Sequence, residues 1–309
     1  VDKLNAAIVV NPASANGATG RRWSEMAEVI SREGISFEHY FTESPGHATE
    51  ITRRFLEDGH DLIIAVGGDG TTNEVINGFY DQNHNMIRPE AAVSFISGGT
   101  GRDLIRTIGI PNDTAEAARH IINSPARPVD LGRVSFLNNQ GIPEMRYFIN
   151  VAGLGLDGAT VDRVNKTSKA LGGFISFLWA TVATLILYKN QEMRIIVDGK
   201  EVCNEPVTVV VFGNGRYFGG GMCIAPDAQV DDGLFDIVIL KGLSKINLLI
   251  SLPRVYKGTH LGHPRIANLR GKSVMVEAYG EALLDLDGEQ PGRAPVELEI
   301  LPKAINLRG

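Results

Sequence analysis

A chain of 309 residues with 43% hydrophobic and 21% charged side chains has the composition of a globular protein and the length for two hydrophobic cores. A net charge of −6 argues against nucleic acid as a partner. Two cysteines without metal-ligand spacing, Cys203 and Cys223, argue against a disulfide framework and for a reducing cytoplasm, and residues 1–5 carry no signal-peptide pattern.

In chain order, residues 6–10 read as an apolar strand ending at the turn-forming loop Asn11-Pro12-Ala13-Ser14-Ala15-Asn16-Gly17, with a helix over 19–32. Asn11 and Ser14 offer neutral hydrogen bonds to a nucleotide; a proline-containing turn and helix cap would use the same residues. A second strand over 36–42, alternating Phe37, His39 and Phe41, ends at Thr42, and a helix follows over 46–57. A third strand over 61–66 runs into Gly67-Gly68-Asp69-Gly70-Thr71-Thr72-Asn73-Glu74, with a helix expected over 73–80. Glycines at 67, 68 and 70 are expected to adopt positive φ and to let the backbone approach a ligand without a Cβ in the way. N–H groups opening the next helix favour anionic oxygen, most often phosphate. Asp69 would repel phosphate, so its expected partner is a metal ion or a ribose hydroxyl. A fourth strand over 91–96 enters Ser97-Gly98-Gly99-Thr100-Gly101-Arg102-Asp103 before helices over 104–108 and 114–123. Strands alternating with helices predict a parallel sheet covered on both faces, with ligands at the carboxyl ends of its strands.

After the connector 124–128 the pattern changes to strand-like runs at 129–136, 146–151, 193–197, 207–212, 235–240, 273–278, 283–287 and 296–301, which predict a largely antiparallel second domain. Residues 171–187 are uncharged, but too short and too diluted by Gly and Thr to span a bilayer; a buried helix and a helix lining an acyl groove both suit them. The run 219–236 contains Asp231-Asp232-Gly233 and Asp236, whose three carboxylates within six residues have the makings of a hard-cation site or of a plain turn. Leu286-Asp287-Gly288-Glu289 closes a buried strand; if extended, it would set both carboxylates on one face.

The GGDGTTNE run resembles the nucleotide-binding signature shared by diacylglycerol, sphingosine, ceramide and NAD kinases and, more distantly, phosphofructokinases. The NPxS loop, the SGGTGRD loop, the GGGMxIAPxAxxDDGxFD run and DGE resemble, in order, the motifs of the bacterial diacylglycerol kinase-like lipid kinases, with Ser97 and Arg102 where that family has Pro and Asn. The resemblance implies an α/β nucleotide-binding domain over 1–128 with a tail near 302–309 returning to it. It also implies a β-rich, sandwich-like lipid-acceptor and metal domain over 129–301, with the active site in a cleft. It implies ATP bound by Asn11, Pro12, Ala13, Ser14, Ala15, Thr42, Gly67, Gly68, Asp69, Gly70, Thr71, Thr72, Asn73 and Thr100. A structural Mg²⁺ would be held by Asp232 with main-chain oxygens of Gln229 and Leu234. Catalysis would fall to Asp287 and Glu289, one of them the base, with Asp69 linking nucleotide and metal.

The expected protein is a cytoplasmic ATP- and Mg²⁺-dependent kinase, peripherally associated with membranes, whose acceptor is a lipid with a free hydroxyl; a homodimer is compatible with the sequence. NAD kinase shares GGDGT and a downstream Asn-Glu, and a non-catalytic nucleotide-binding regulator is the rival of another class. The DDG and DGE motifs weigh against the first and the intact carboxylates against the second.

Overall fold

The computed structural model describes residues 5–98, 102–166 (backbone only at 164–166), 184 and 187–309. They form two compact units, 1–129 with Lys303–Gly309, and Asp130–Pro302.

In the first unit, β1 (Ala6–Val10), β2 (Phe37–Phe41), β3 (Leu62–Gly67) and β4 (Ala92–Ser97) make a parallel sheet in the order β2-β1-β3-β4. The segment Ala6–Val10 is buried at all five positions, as a strand covered on both faces must be. Between the strands run α1 (Ala18–Arg32), α2 (His47–Glu57), α3 (Asp69–Gly78), α4 (Asp103–Ile108) and α5 (Thr114–Asn123). Helical spacing puts Trp23, Met26 and Ile30 of α1 on one buried stripe, and Ile51 and Phe55 do the same for α2. Each such side chain contributes about 1.5–3 kcal/mol by leaving water. Asp113 caps α5 by accepting the N–H groups of Ala115 and Glu116. Asn306 and Leu307 extend the sheet in parallel with Ala92 and Val93 of β4, and Arg308 donates to the carbonyls of Ile121 and Ile122 at the end of α5.

The second unit is antiparallel. Its strands are β5 (Ala126–Asn138), β6 (Pro143–Phe148), β7 (Val151–Gly155), β8 (Gln191–Val197), β9 (Lys200–Gly213), β10 (Tyr217–Phe218), β11 (Met222–Cys223), β12 (Phe235–Lys241), β13 (Ile266–Gly271), β14 (Ser273–Ala278), β15 (Leu283–Leu286) and β16 (Glu289–Arg308), whose last residues lie in the first unit. Pairing runs in a closed circuit, β9-β7-β15-β16-β14-β8 and back to β9, around a core that includes Leu154, Ile195, Val210, Phe212, Val276, Leu284 and Leu298. Alternation along β9 and β12 sends Val209, Val211, Val238 and Leu240 to the opposite face, where α7 (Lys245–Tyr256) covers them with Leu248 and Val255. Helices α6 (Leu156–Lys166) and α7 and strand β13 fall where no element was anticipated. The expected run 146–151 is two strands, β6 and β7, and 296–301 is only the middle of β16. Cys203 and Cys223 are both buried and free.

Candidate active site

Three loops meet at the carboxyl ends of β1, β3 and β4. Asn11 donates through Nδ2 to Thr71 Oγ1 at 2.9 Å, and its Oδ1 accepts the Ala13 N–H at 3.0 Å. Ser14 Oγ lies 2.9 Å from the Asn11 carbonyl and within hydrogen-bond distance of Thr19 Oγ1, which in turn reaches the Gly98 carbonyl, so two hydroxyl protons are divided among three contacts. Gly98 N–H donates in turn to the Gly67 carbonyl at 3.0 Å. Pro12 lends its carbonyl to Gly20 N–H, Thr42 N–H donates to the Val10 carbonyl, and Ala15 and Asn16 turn the loop with φ of 52° and 55°. The expected ligand-binding loops are thus tied to one another by their own side chains. Thr100 lies outside the described residues.

The glycines of GGDG work differently from the expectation. None of Gly67, Gly68 and Gly70 has positive φ; Gly68 is extended (φ −106°, ψ −170°) and α3 starts at Asp69, four residues before the expected start. What demands glycine at 67 is packing, since a Cβ there would come within 2.4 Å of Thr71 Oγ1. At Gly68 a Cβ would meet nothing within 4 Å among the described residues. That face heads a helix whose N-cap makes no side-chain hydrogen bond, the arrangement in which the first N–H groups of a helix favour anionic oxygen. Asp69, half-buried in the first turn, is well placed against the helix dipole. Thr71 and Asn73 are buried: Thr71 serves Asn11, and Asn73 accepts from the Asn77 amide, so both shape the turn from behind. Thr72 is half-buried, its N–H bonded to the Gly68 carbonyl. Glu74 caps α2, accepting N–H groups of Gly46 and Ala48.

In the second unit Asp287 and Gly288 are not extended. With φ of 49° and 87° they form the two-residue turn between β15 and β16, in which Leu286 pairs with Glu289. Asp287 therefore lies in the turn itself and Glu289 on the outgoing arm of the hairpin. Asp287 is buried, and its carboxylate accepts the N–H groups of Ile149, Asn150 and Val151 at 3.2, 3.1 and 3.0 Å. Such a carboxylate clamps a backbone turn. Glu289, 36% exposed, reaches outward to within 3.7 Å of Arg146.

Behind the turn sits a feature no motif announced. Asp285 accepts the Gly288 N–H at 2.9 Å, pairs across the strands with Gly153, and faces the carboxyl of Asp157 from the first turn of α6. A Cβ on Gly153 would sit 2.3 Å from Asp157 Oδ2, so glycine makes the room in which two carboxyls meet. Burial pushes Asp157 up to about 7 and Asp285 well above the usual carboxylate range, so the pair keeps a proton near neutrality. Asn150 and Asn214 donate to the carbonyls of Tyr217, Asp130 and Ile149, while the Oδ1 atom of each is buried without a hydrogen-bond partner among the described residues. Only the Asn-Gly dipeptide at 214–215 and the triple glycine at 219–221, whose φ values are 58°, 81° and 107°, signalled this region.

The expected metal set departs from expectation. Asp232 gives one oxygen to the Leu234 N–H and the other to the Arg270 guanidinium, which also reaches Asp236 at 3.3 Å; Asp231 is exposed. Among the described residues no three His, Cys, Asp or Glu side chains gather as metal ligands. With Arg270 on the carboxylate, the set Gln229, Asp232 and Leu234 does not fit a resident Mg²⁺: a cation already neutralises it.

Residues 5–134 match the family model of the diacylglycerol kinase catalytic domain, and residues 150–309 that of the YegS C-terminal NAD kinase beta sandwich-like domain. A Bacillus subtilis diacylglycerol kinase is 32% identical over 304 residues, covering 98% of this chain and 95% of its own. One from Staphylococcus carnosus is 28% identical over 306 residues, covering 99% and 95%. The crystal structure of a diacylglycerol kinase from Bacillus anthracis superposes with a TM-score of 0.76 at 26% identity over 100% of this chain and 98% of that one. Yeast NADH kinase shares the fold, with a TM-score of 0.52 at 10% identity over 99% of this chain and 83% of that one.

Proposed function

The chain belongs to the bacterial diacylglycerol kinase-like family of lipid kinases, and we propose on that footing that it transfers the γ-phosphoryl group of Mg·ATP to a free hydroxyl of a diacylglycerol-like lipid. The observation that carries the reading is the turn at Gly68, which heads α3 and where a Cβ would meet no described residue within 4 Å. Phosphoryl transfer asks mainly for positioning and charge compensation. Loop 11–17, tied to Thr71 and Gly98, and the α3 N-terminus bind the nucleotide. Asp69 stands where it would meet the magnesium that enters with the nucleotide, or its ribose.

Glu289 is the better base. The acceptor hydroxyl gives its proton to that carboxylate as its oxygen bonds to the γ-phosphorus, the bond from phosphorus to the β,γ-bridging oxygen breaks, and ADP leaves with the electron pair. Asp287, its oxygens committed to three N–H groups, positions the turn that presents Glu289. The protein is read as working from the cytoplasm at a membrane surface. The test is a kinase assay with labelled ATP and a mixed lipid extract, the labelled product being identified by mass spectrometry. A labelled acylglycerol is expected; transfer to NAD and to no lipid would overturn the reading.

A further inference from the structure

Helix α7 buries Leu248, Ser251 and Val255 against the second unit and turns a second apolar face outward. Ile246, Leu249 and Ile250 are 69%, 41% and 62% exposed, at the i, i+3, i+4 spacing that puts them on one stripe. Two exposed branched aliphatics one turn apart are uncommon on a surface bathed only by water. Exposed Lys245, Arg254 and Lys257 flank the stripe.

The sequence around the helix is equally one-sided in charge. From residue 237 to residue 276 the chain has seven Lys or Arg and no Asp or Glu, a local +7 in a protein whose total is −6. Lys241 and Arg270 are offset by Glu205 and by Asp232 and Asp236 from outside the segment, whereas Arg254, Lys257 and Arg265 have no acidic partner among the described residues. No helix among the described residues is long and apolar enough to cross a membrane, and the 12 residues of α7 span only about 18 Å.

We infer that the outer face of α7 is the membrane-docking surface, Ile246, Leu249 and Ile250 entering the headgroup boundary of an anionic bilayer while Lys245, Arg254 and Lys257 meet its phosphates. The chemistry is that of an interfacial helix, apolar insertion combined with attraction to anionic lipid. A second copy fits poorly, because a two-fold contact through this stripe would set one copy's cations against the other's. The inference deepens the lipid-kinase reading by naming the surface through which a membrane-resident acceptor is approached.

The test is co-sedimentation of the full chain with vesicles of phosphatidylglycerol and phosphatidylcholine, or of phosphatidylcholine alone, without acceptor or nucleotide. Ile246→Glu with Ile250→Glu, and separately Arg254→Glu with Lys257→Glu, should each lower binding to the anionic vesicles by about tenfold or more while the melting temperature holds. Neither pair should change turnover on detergent-dispersed acceptor. Unchanged vesicle binding in both double variants would overturn the docking surface, as would a dimer in sedimentation equilibrium that Ile250→Glu abolishes. Wild-type binding that the variants abolish, in a protein that phosphorylates no lipid, would uphold the surface and sink the kinase reading.

Discussion

Gly68 is a position at which ligand binding can be separated from folding. It is extended, and a Cβ placed there finds no neighbour within 4 Å among the described residues, so neither backbone strain nor packing against them opposes a larger side chain. Its one structural duty is to be the N-cap of α3, where threonine serves about as well as glycine and valine is worse by about 1 kcal/mol. Gly68→Thr should thus leave unfolding free energy within about 0.5 kcal/mol of wild type, and Gly68→Val should lose about 1 kcal/mol. Both put the same branched volume into the space assigned to phosphate, and both should weaken Mg·ATP binding by about 100-fold or more, some 2.7 kcal/mol, in isothermal calorimetry. Gly67→Ala is the contrast: its Cβ would be driven into Thr71, so stability should fall first. If Gly68→Thr binds Mg·ATP as the wild type does, the turn heading α3 is not the phosphate cradle.

Glu289→Gln should cut turnover by about 10² or more with little effect on stability or ATP binding, whereas Asp287→Asn, which turns an amide donor toward backbone N–H groups, should cost about 1–3 kcal/mol in urea unfolding. The opposite pattern would make Asp287 the base. Asp157 and Asp285 are protonated more readily folded than unfolded, so their contribution to stability is complete below the ordinary carboxylate value of 3.8 and declines as pH rises toward about 7. Denaturation midpoints should drop across that window and drop less in Asp285→Asn; a flat wild-type profile would refute the shared proton. Exhaustive EDTA treatment should leave the melting temperature unchanged, and Arg270→Ala should lower stability by about 1–3 kcal/mol by leaving buried Asp236 unpaired. An EDTA-sensitive melt would restore a metal to Asp232.

The parallel sheet was legible because its inner strands β1 and β3 are short and wholly apolar and β3 and β4 run into glycine, a pattern that allows few other folds. The second unit was less so. Pro291, Pro295 and Pro302 broke β16 into what looked like one short strand, and α7 reads as apolar on nearly every side because it has an outward stripe as well as an inward one. At the site, motifs located the turns correctly but not the reason for their glycines: Gly67 makes room for Thr71, Gly153 for Asp157. Those reasons are contacts between residues distant in sequence or on different elements, and no local pattern encodes them. The commitment of Asp287 to backbone donors was hidden for the same reason, since those donors come from residues 149–151.

The tail that pairs with β4 makes the first unit discontinuous in sequence. Ile305 and Leu307 are buried in it, and Asn306 and Arg308 close hydrogen bonds with Pro89, Ile121 and Ile122. During synthesis, residues 1–129 therefore emerge with β4 as an open, hydrophobic edge, and remain so while more than half of the chain is still to be made. The nascent unit is an assembly waiting for its last strand, exposed meanwhile to pairing with other chains and to chaperones, and its maturation is timed by translation of the segment between.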